Sequence, residues 1–247
     1  MLTHLGEARD IGADRRLAWS LAGIAGALNA AGFYADDLYS SNMTGNVSTL
    51  ANHLAVMDWR VAATYLALVA IFISGAAVSA ILINAGRRRK IAGIYAFSIF
   101  AEALLLAILA CGDLWTRGET RGAILAYGLS FLMGLQNAVV TRISNARVRT
   151  THVTGMVTDI GIELGNLVDL AWSRRRQKHG EAHDYNAEKL RLHGYTVLSF
   201  LGGGIFGVLA YRSVSTLFLF GAALLLLGLA LSGLIRTRVL AAVPERR

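Results

Sequence analysis

Apolar residues fall into six long blocks along the chain, at about 17–34, 61–86, 91–112, 122–141, 196–211 and 215–235, with few or no charges inside each and short polar stretches between them. Such blocks approach or exceed the roughly 18 to 20 apolar residues a helix needs to cross a bilayer. The pattern predicts six spanning α-helices. Two further segments, 41–56 and 151–172, carry their polar and small residues at helical spacing. In the first, Ser41, Thr44 or Gly45, Ser48 and Asn52 share a face; in the second, Thr151, Thr154 or Gly155 and Thr158 do, followed by Asp159, Glu163 and Asn166. The expected fold is therefore all-α: a polytopic membrane protein of six spanning helices plus two motif helices.

The two polar segments are copies of one motif. Ser41-Asn42-Met43-Thr44-Gly45-Asn46-Val47-Ser48 aligns with Thr151-His152-Val153-Thr154-Gly155-Met156-Val157-Thr158, and upstream Gly26-Ala27-Leu28-Asn29-Ala30 aligns with Gly134-Leu135-Gln136-Asn137-Ala138. The offset is 108 between the asparagines (137 − 29) and 110 between the threonines (154 − 44). One membrane domain, 1–247, is thus expected to contain two repeats, about 17–112 and 122–236. Internal repeats of this kind underlie many transporters, whose sites lie at the repeat interface.

Composition agrees with lipid as the solvent: 55% of residues are hydrophobic, 16% are charged, and the mean hydropathy is +0.50. The net charge of +8 comes from basic clusters between apolar blocks, not from one soluble face, so it reads as membrane orientation and not as nucleic-acid binding. If neither motif segment crosses, six helices put both termini, Arg87-Arg88-Arg89-Lys90 and the hydrophilic connector 173–193 on the cytoplasmic side. Only Arg60, Arg117, Arg121 and Arg212 then remain outside. If both cross, Arg87 to Lys90, Arg147, Arg149 and, at the margin, Arg142 move outside, which the positive-inside rule disfavours. Three spanning helices per half make the repeats inverted, with the motifs entering from opposite sides. The apolar extent of the second motif is long enough to cross, so a crossing there would alter the topology. The first 16 residues mix both charge signs and do not read as a cleaved signal peptide. Cys111 is the one cysteine, which excludes an intrachain disulfide, and Pro244 is the one proline, so breaks within the membrane must come from glycine or polar residues.

The motif chemistry suits a polar solute. Asn42, Thr44, Asn46, Ser48, Thr151, Thr154 and Thr158 offer donors and acceptors, and Gly45 and Gly155 admit close approach of a backbone or a solute. The same residue types also pack membrane helices without any ligand. Asn29 and Asn137 either line the pathway or bond to their own motifs. Glu102 is the one charge in its apolar block, and an ionisable group at that depth is a candidate for proton or cation coupling. Asp159 and Glu163, one turn apart, are candidates for the same role, with solvated acids near a helix start as the alternative. No HExxH, GxSxG, Walker or dinucleotide-binding pattern occurs.

Asn42-Met43-Thr44-Gly45-Asn46 after a first apolar helix, with Gly134-Leu135-Gln136-Asn137-Ala138 and Thr150-Thr151-His152-Val153-Thr154-Gly155, resembles the YoaK family of uncharacterised bacterial inner-membrane proteins from about residue 17 to 236. The resemblance implies a small multi-pass protein of the bacterial cytoplasmic membrane, for which transport is the usual suggestion and no substrate is settled. The polar lead Tyr34-Ala35-Asp36-Asp37 is not part of the likeness. The leading expectation is a permease for a small polar molecule, bound between the Thr-Gly motifs, with the bilayer as its partner and neither cofactor nor metal nor catalysis. A passive channel, an intramembrane enzyme acting on lipid, and a non-transporting partner or sensor subunit are the alternatives.

Overall fold

A computed structural model describes residues 11–91, 93–144, 149–176 and 185–242, all as helices and their connections. The eight helices are α1 (Ile11–Asp36), α2 (Met43–Ala55), α3 (Trp59–Arg88), α4 (Ile94–Trp115), α5 (Glu119–Ile143), α6 (Val153–Arg176), α7 (Ala187–Val214) and α8 (Thr216–Ala242). Five of them, α3, α4, α5, α7 and α8, are long and apolar enough to cross a membrane. The first expected span, 17–34, falls within α1, which is not one of these five; its small residues Ala22, Ala25, Ala27 and Ala31 are buried beside Leu21 and Leu28. Of the expected connector 173–193, residues 177–184 lie outside the described residues, while its ends belong to α6 and α7.

Side-chain caps set the helix starts. Asn42 accepts from Gly45 N at the head of α2, Asp58 from Val61 N at α3, and Asn186 from Lys189 N at α7; each satisfies one N–H that the helix leaves without a partner. Turns between consecutive long helices are short, and Gly93, with φ of +76°, takes the left-handed conformation immediately before α4.

The long helices meet through glycine where their backbones touch. At Gly26 a Cβ would overlap the Phe200 carbonyl, and at Gly203 it would overlap that of Gly23, so α1 and α7 cross backbone to backbone. The same arrangement joins α5 to α3: Gly134 faces the Phe72 carbonyl and Gly75 that of Phe131. Close approach of this kind is how helices gain contact in lipid, where no hydrophobic difference drives them together.

Directions follow from the residue pairs. Gly23 lies beside Gly203 and Ala27 beside Gly207, so α1 and α7 run the same way; Leu68 meets Ser130 and Asn84 meets Arg142, so α3 and α5 do also. By contrast α1 opposes α5, with Gly32 against Leu129 and Asp36 against Gly122. The pair α4 and α8 is opposed as well, since Gly93 approaches Leu234 and Thr237 while Thr216 bonds to Asp113 at the other end. Burial supports the same pairing. Buried positions 96, 98, 99, 102, 103, 106, 110 and 113 of α4 recur in α8 at 216, 218, 219, 222, 223, 226, 230 and 233.

The motif helices are attached differently: α2 packs on α3, and α6 on α7. With 13 residues, α2 reaches about 20 Å at 1.5 Å per residue, short of the roughly 30 Å hydrocarbon core. Although α6 has 24 residues, Glu163 already accepts from the backbone N of Asn186 just before α7 begins. The rest of α6 therefore extends past the end of its neighbour.

Candidate functional site

Each motif is pinned to the asparagine of its own half. Asn29 Oδ1 accepts from Ser41 N at 3.0 Å, Ser41 Oγ at 2.9 Å and Ser40 Oγ at 3.3 Å. In the second half Asn137 Nδ2 donates to Thr151 Oγ1 at 2.8 Å and its Oδ1 accepts from Thr150 Oγ1 at 3.4 Å. Because Asn29 and Asn137 sit about two turns before the ends of α1 and α5, these bonds draw the chain back along the bundle before α2 and α6 begin. Both motif helices then start at the depth of the asparagines.

The glycines of the motifs make room for the side chains three residues before them, the capping Asn42 and His152. A Cβ at Gly45 would strike the Asn42 amide, and one at Gly155 would strike the His152 ring. Asn42 and His152 thus occupy equivalent places over the first turn, and each is the nearest neighbour of its glycine.

A cavity of about 710 Å³ lies between the two motif starts, within the roughly 300 to 1,000 Å³ range of small-molecule pockets. Its lining pairs off between halves: Asn29 with Asn137, Ser41 with Thr151, Asn42 with His152, Thr44 with Thr154 and Phe72 with Phe200. Tyr39, Thr141, Arg142 and Arg149 complete the polar wall. Of the residues expected to bind solute, Asn29, Asn42, Thr44, Asn137, Thr151 and Thr154 line this cavity, whereas Gly45, Asn46, Ser48, Gly155 and Thr158 do not. Asn46 instead donates to the Tyr39 carbonyl, and Thr158 to the Thr154 carbonyl one turn back.

The carboxylates stand elsewhere. Asp159 pairs with Lys189 at 3.0 Å and lies 3.4 Å from His193, while Glu163 is 3.9 Å from Lys189. They join α6 to α7 and do not reach the cavity lining. Glu102 is fully buried in α4, and neither of its oxygens has a hydrogen-bond partner; it too lies outside the lining.

Two features had no signal in the sequence. Phe72 and Phe200 are matched only once α3 and α7 are recognised as equivalent. The second is a polar clasp at the other ends of the long helices. Buried Asp113 takes two bonds from Arg121, at 2.6 and 2.9 Å, and accepts from Thr216; Arg121 also donates to Tyr211 at 3.1 Å and Ser215 at 3.0 Å. It ties α4, α5, α7 and α8 together where bidentate arginine geometry is strongest.

Several long apolar helices, two polar motif helices and the cavity at their starts define a multi-pass helical membrane protein. The chain belongs to the family described as "Protein of unknown function (DUF1275)", which matches residues 17–232. That description carries neither the YoaK designation nor an activity. Searches of curated proteins and of solved structures found no match.

Proposed function

We propose that this protein is a permease for a small polar solute, bound in the cavity between the two Thr-Gly motifs. The observation that carries the reading is the paired lining: five positions from one half face their five equivalents from the other across a single space. A site on a repeat interface is what alternating access requires, since exchanging the conformations of the halves moves the opening and leaves the site in place. Packing alone would bring the motifs into contact and leave no such volume between them.

In this reading the protein is an inverted 3+3 repeat in the bacterial cytoplasmic membrane, with both termini cytoplasmic. Its support is directional. The long helices alternate along the series α1, α3, α4, α5, α7, α8, and each of the first three opposes its equivalent in the second three. Alternation holds only if α2 and α6 turn back without crossing. Irregular backbone before each motif helix is then tolerated because it is bonded to Asn29 or Asn137 and borders a polar cavity.

The test is uptake. Liposomes containing the purified protein are incubated with a bacterial metabolite extract, and their contents are compared by mass spectrometry with those of empty liposomes and of Thr154→Val liposomes. At least one small polar solute should accumulate with the wild type alone. Equal contents in all three preparations would refute the reading.

A further inference from the structure

We infer that the cavity takes a small organic anion, its charged group held on the second-half side by Arg142 and Arg149 and its carbon body against Phe72 and Phe200. The inference rests on the cavity being a solute site, as proposed above, and adds the charge and class of the solute.

Charge in the lining is one-sided. Arg142 and Arg149 line it, and among the described residues no aspartate or glutamate does. Arg142 spends one donor on the Asn84 carboxamide, at 2.7 Å, which leaves its charge uncompensated. Arg149 is exposed to the cavity, and among the described residues neither arginine meets a carboxylate. The acids that would favour a cation are already engaged or remote: Asp159 and Glu163 face Lys189, and Glu102 is sealed inside α4. A cation would meet two guanidinium groups there with nothing to offset them. An anion gains charge-assisted, bidentate bonds.

Further donors point the same way. Val153 and Thr154 belong to the first turn of α6 and line the cavity, and first-turn N–H groups lack an acceptor one turn back. The equivalent positions in the first half, Met43 and Thr44, also line it but bring no side-chain cation with them. The site is consequently polar and neutral on one side and cationic on the other. Two phenylalanines, Met43 and Val153 supply apolar wall that a hydrated inorganic ion would not use. A carboxylate or sulfonate on a small carbon frame satisfies both sides.

Thermal denaturation of the full-length protein in nanodiscs tests this with four probes: benzoate, benzyl alcohol, benzylamine and inorganic phosphate. The first three share a frame and differ in charge. Benzoate alone should raise Tm saturably, and Arg149→Gln should weaken its apparent affinity about 10- to 100-fold, the loss of one charge-assisted hydrogen bond. Because Arg149 is exposed, the ligand-free Tm should not move. The proposal is overturned if benzoate gives no shift, if benzylamine or benzyl alcohol stabilises as well as benzoate, or if both Arg142→Gln and Arg149→Gln bind benzoate like wild type. Stabilisation by phosphate alone would overturn the organic part. A neutral or cationic probe whose effect is lost in Thr154→Val would defeat the anion and keep the solute site. Benzoate binding with no solute accumulating in liposomes would instead defeat the permease and keep the anion.

Discussion

The Phe200 carbonyl oxygen occupies the space that a side chain on Gly26 would need, and the Phe72 carbonyl does the same at Gly134. Since the obstacle is backbone, no rotamer change can relieve it. Gly26→Ala and Gly134→Ala should each cost about 1 to 3 kcal/mol as overpacking, and the leucine variants should not fold. Gly161, with nothing within 4 Å of its Cβ position, is the control: Gly161→Ala should be neutral or stabilising by up to about 1 kcal/mol. Size-exclusion profiles and melting curves in detergent would separate the three cases.

At the motifs the expectation is reversed. Thr44→Val and Thr154→Val keep shape and remove a hydroxyl from the cavity wall, so folded yield should hold. A bound polar solute would be left with an unpaired group at a cost of about 1 to 3 kcal/mol, or roughly 5-fold to over 100-fold in affinity. Full uptake by both variants would remove these residues from the site.

Breaking the Asp113–Arg121 clasp should be the most costly polar change. Asp113 is buried and Arg121 is about one-third exposed, so Arg121→Gln should fall near the lower end of the roughly 3 to 5 kcal/mol typical of one partner lost from a buried pair. A double-mutant cycle with Asp113→Asn, followed by thermal unfolding, measures the coupling. The Lys189–Asp159 pair is partly exposed on both sides, and Lys189→Gln should cost no more than about 1 kcal/mol.

Orientation is checked by labelling. A cysteine at Arg88 should react only from the cytoplasmic side, and one at Met57, in the exposed turn between α2 and α3, only from outside. The native Cys111 is exposed and is first replaced by serine. External labelling at 88 would invalidate the six-helix topology.

The apolar blocks were legible because each is a continuous run, and the asparagine-to-motif bonds stood in the sequence as one of two readings because each is local. Asn29 and Ser41 are 12 residues apart, and their bond could be anticipated from one stretch of sequence. The roles of Gly45 and Gly155 were not legible, because a glycine that shelters a capping amide reads the same as one that admits a neighbouring helix. Asp159 and Glu163 read equally as a candidate carrier or as solvated acids, because the groups they face, Lys189 and His193, lie 26 to 34 residues onward. The clasp drew on Arg121, Tyr211 and Thr216 from separate blocks, and no spacing rule links those.

The glycine crossings carry one mechanical consequence. Phe200, whose carbonyl rests on Gly26, and Phe72, whose carbonyl rests on Gly134, are themselves walls of the cavity. Bare backbone against backbone leaves no cushion of side chains at either crossing, so a shift there is carried by a residue whose ring lines the cavity. Joint and wall thus belong to the same residues, so any substitution that forces either crossing apart should displace an aromatic ring of the chamber as well as a helix.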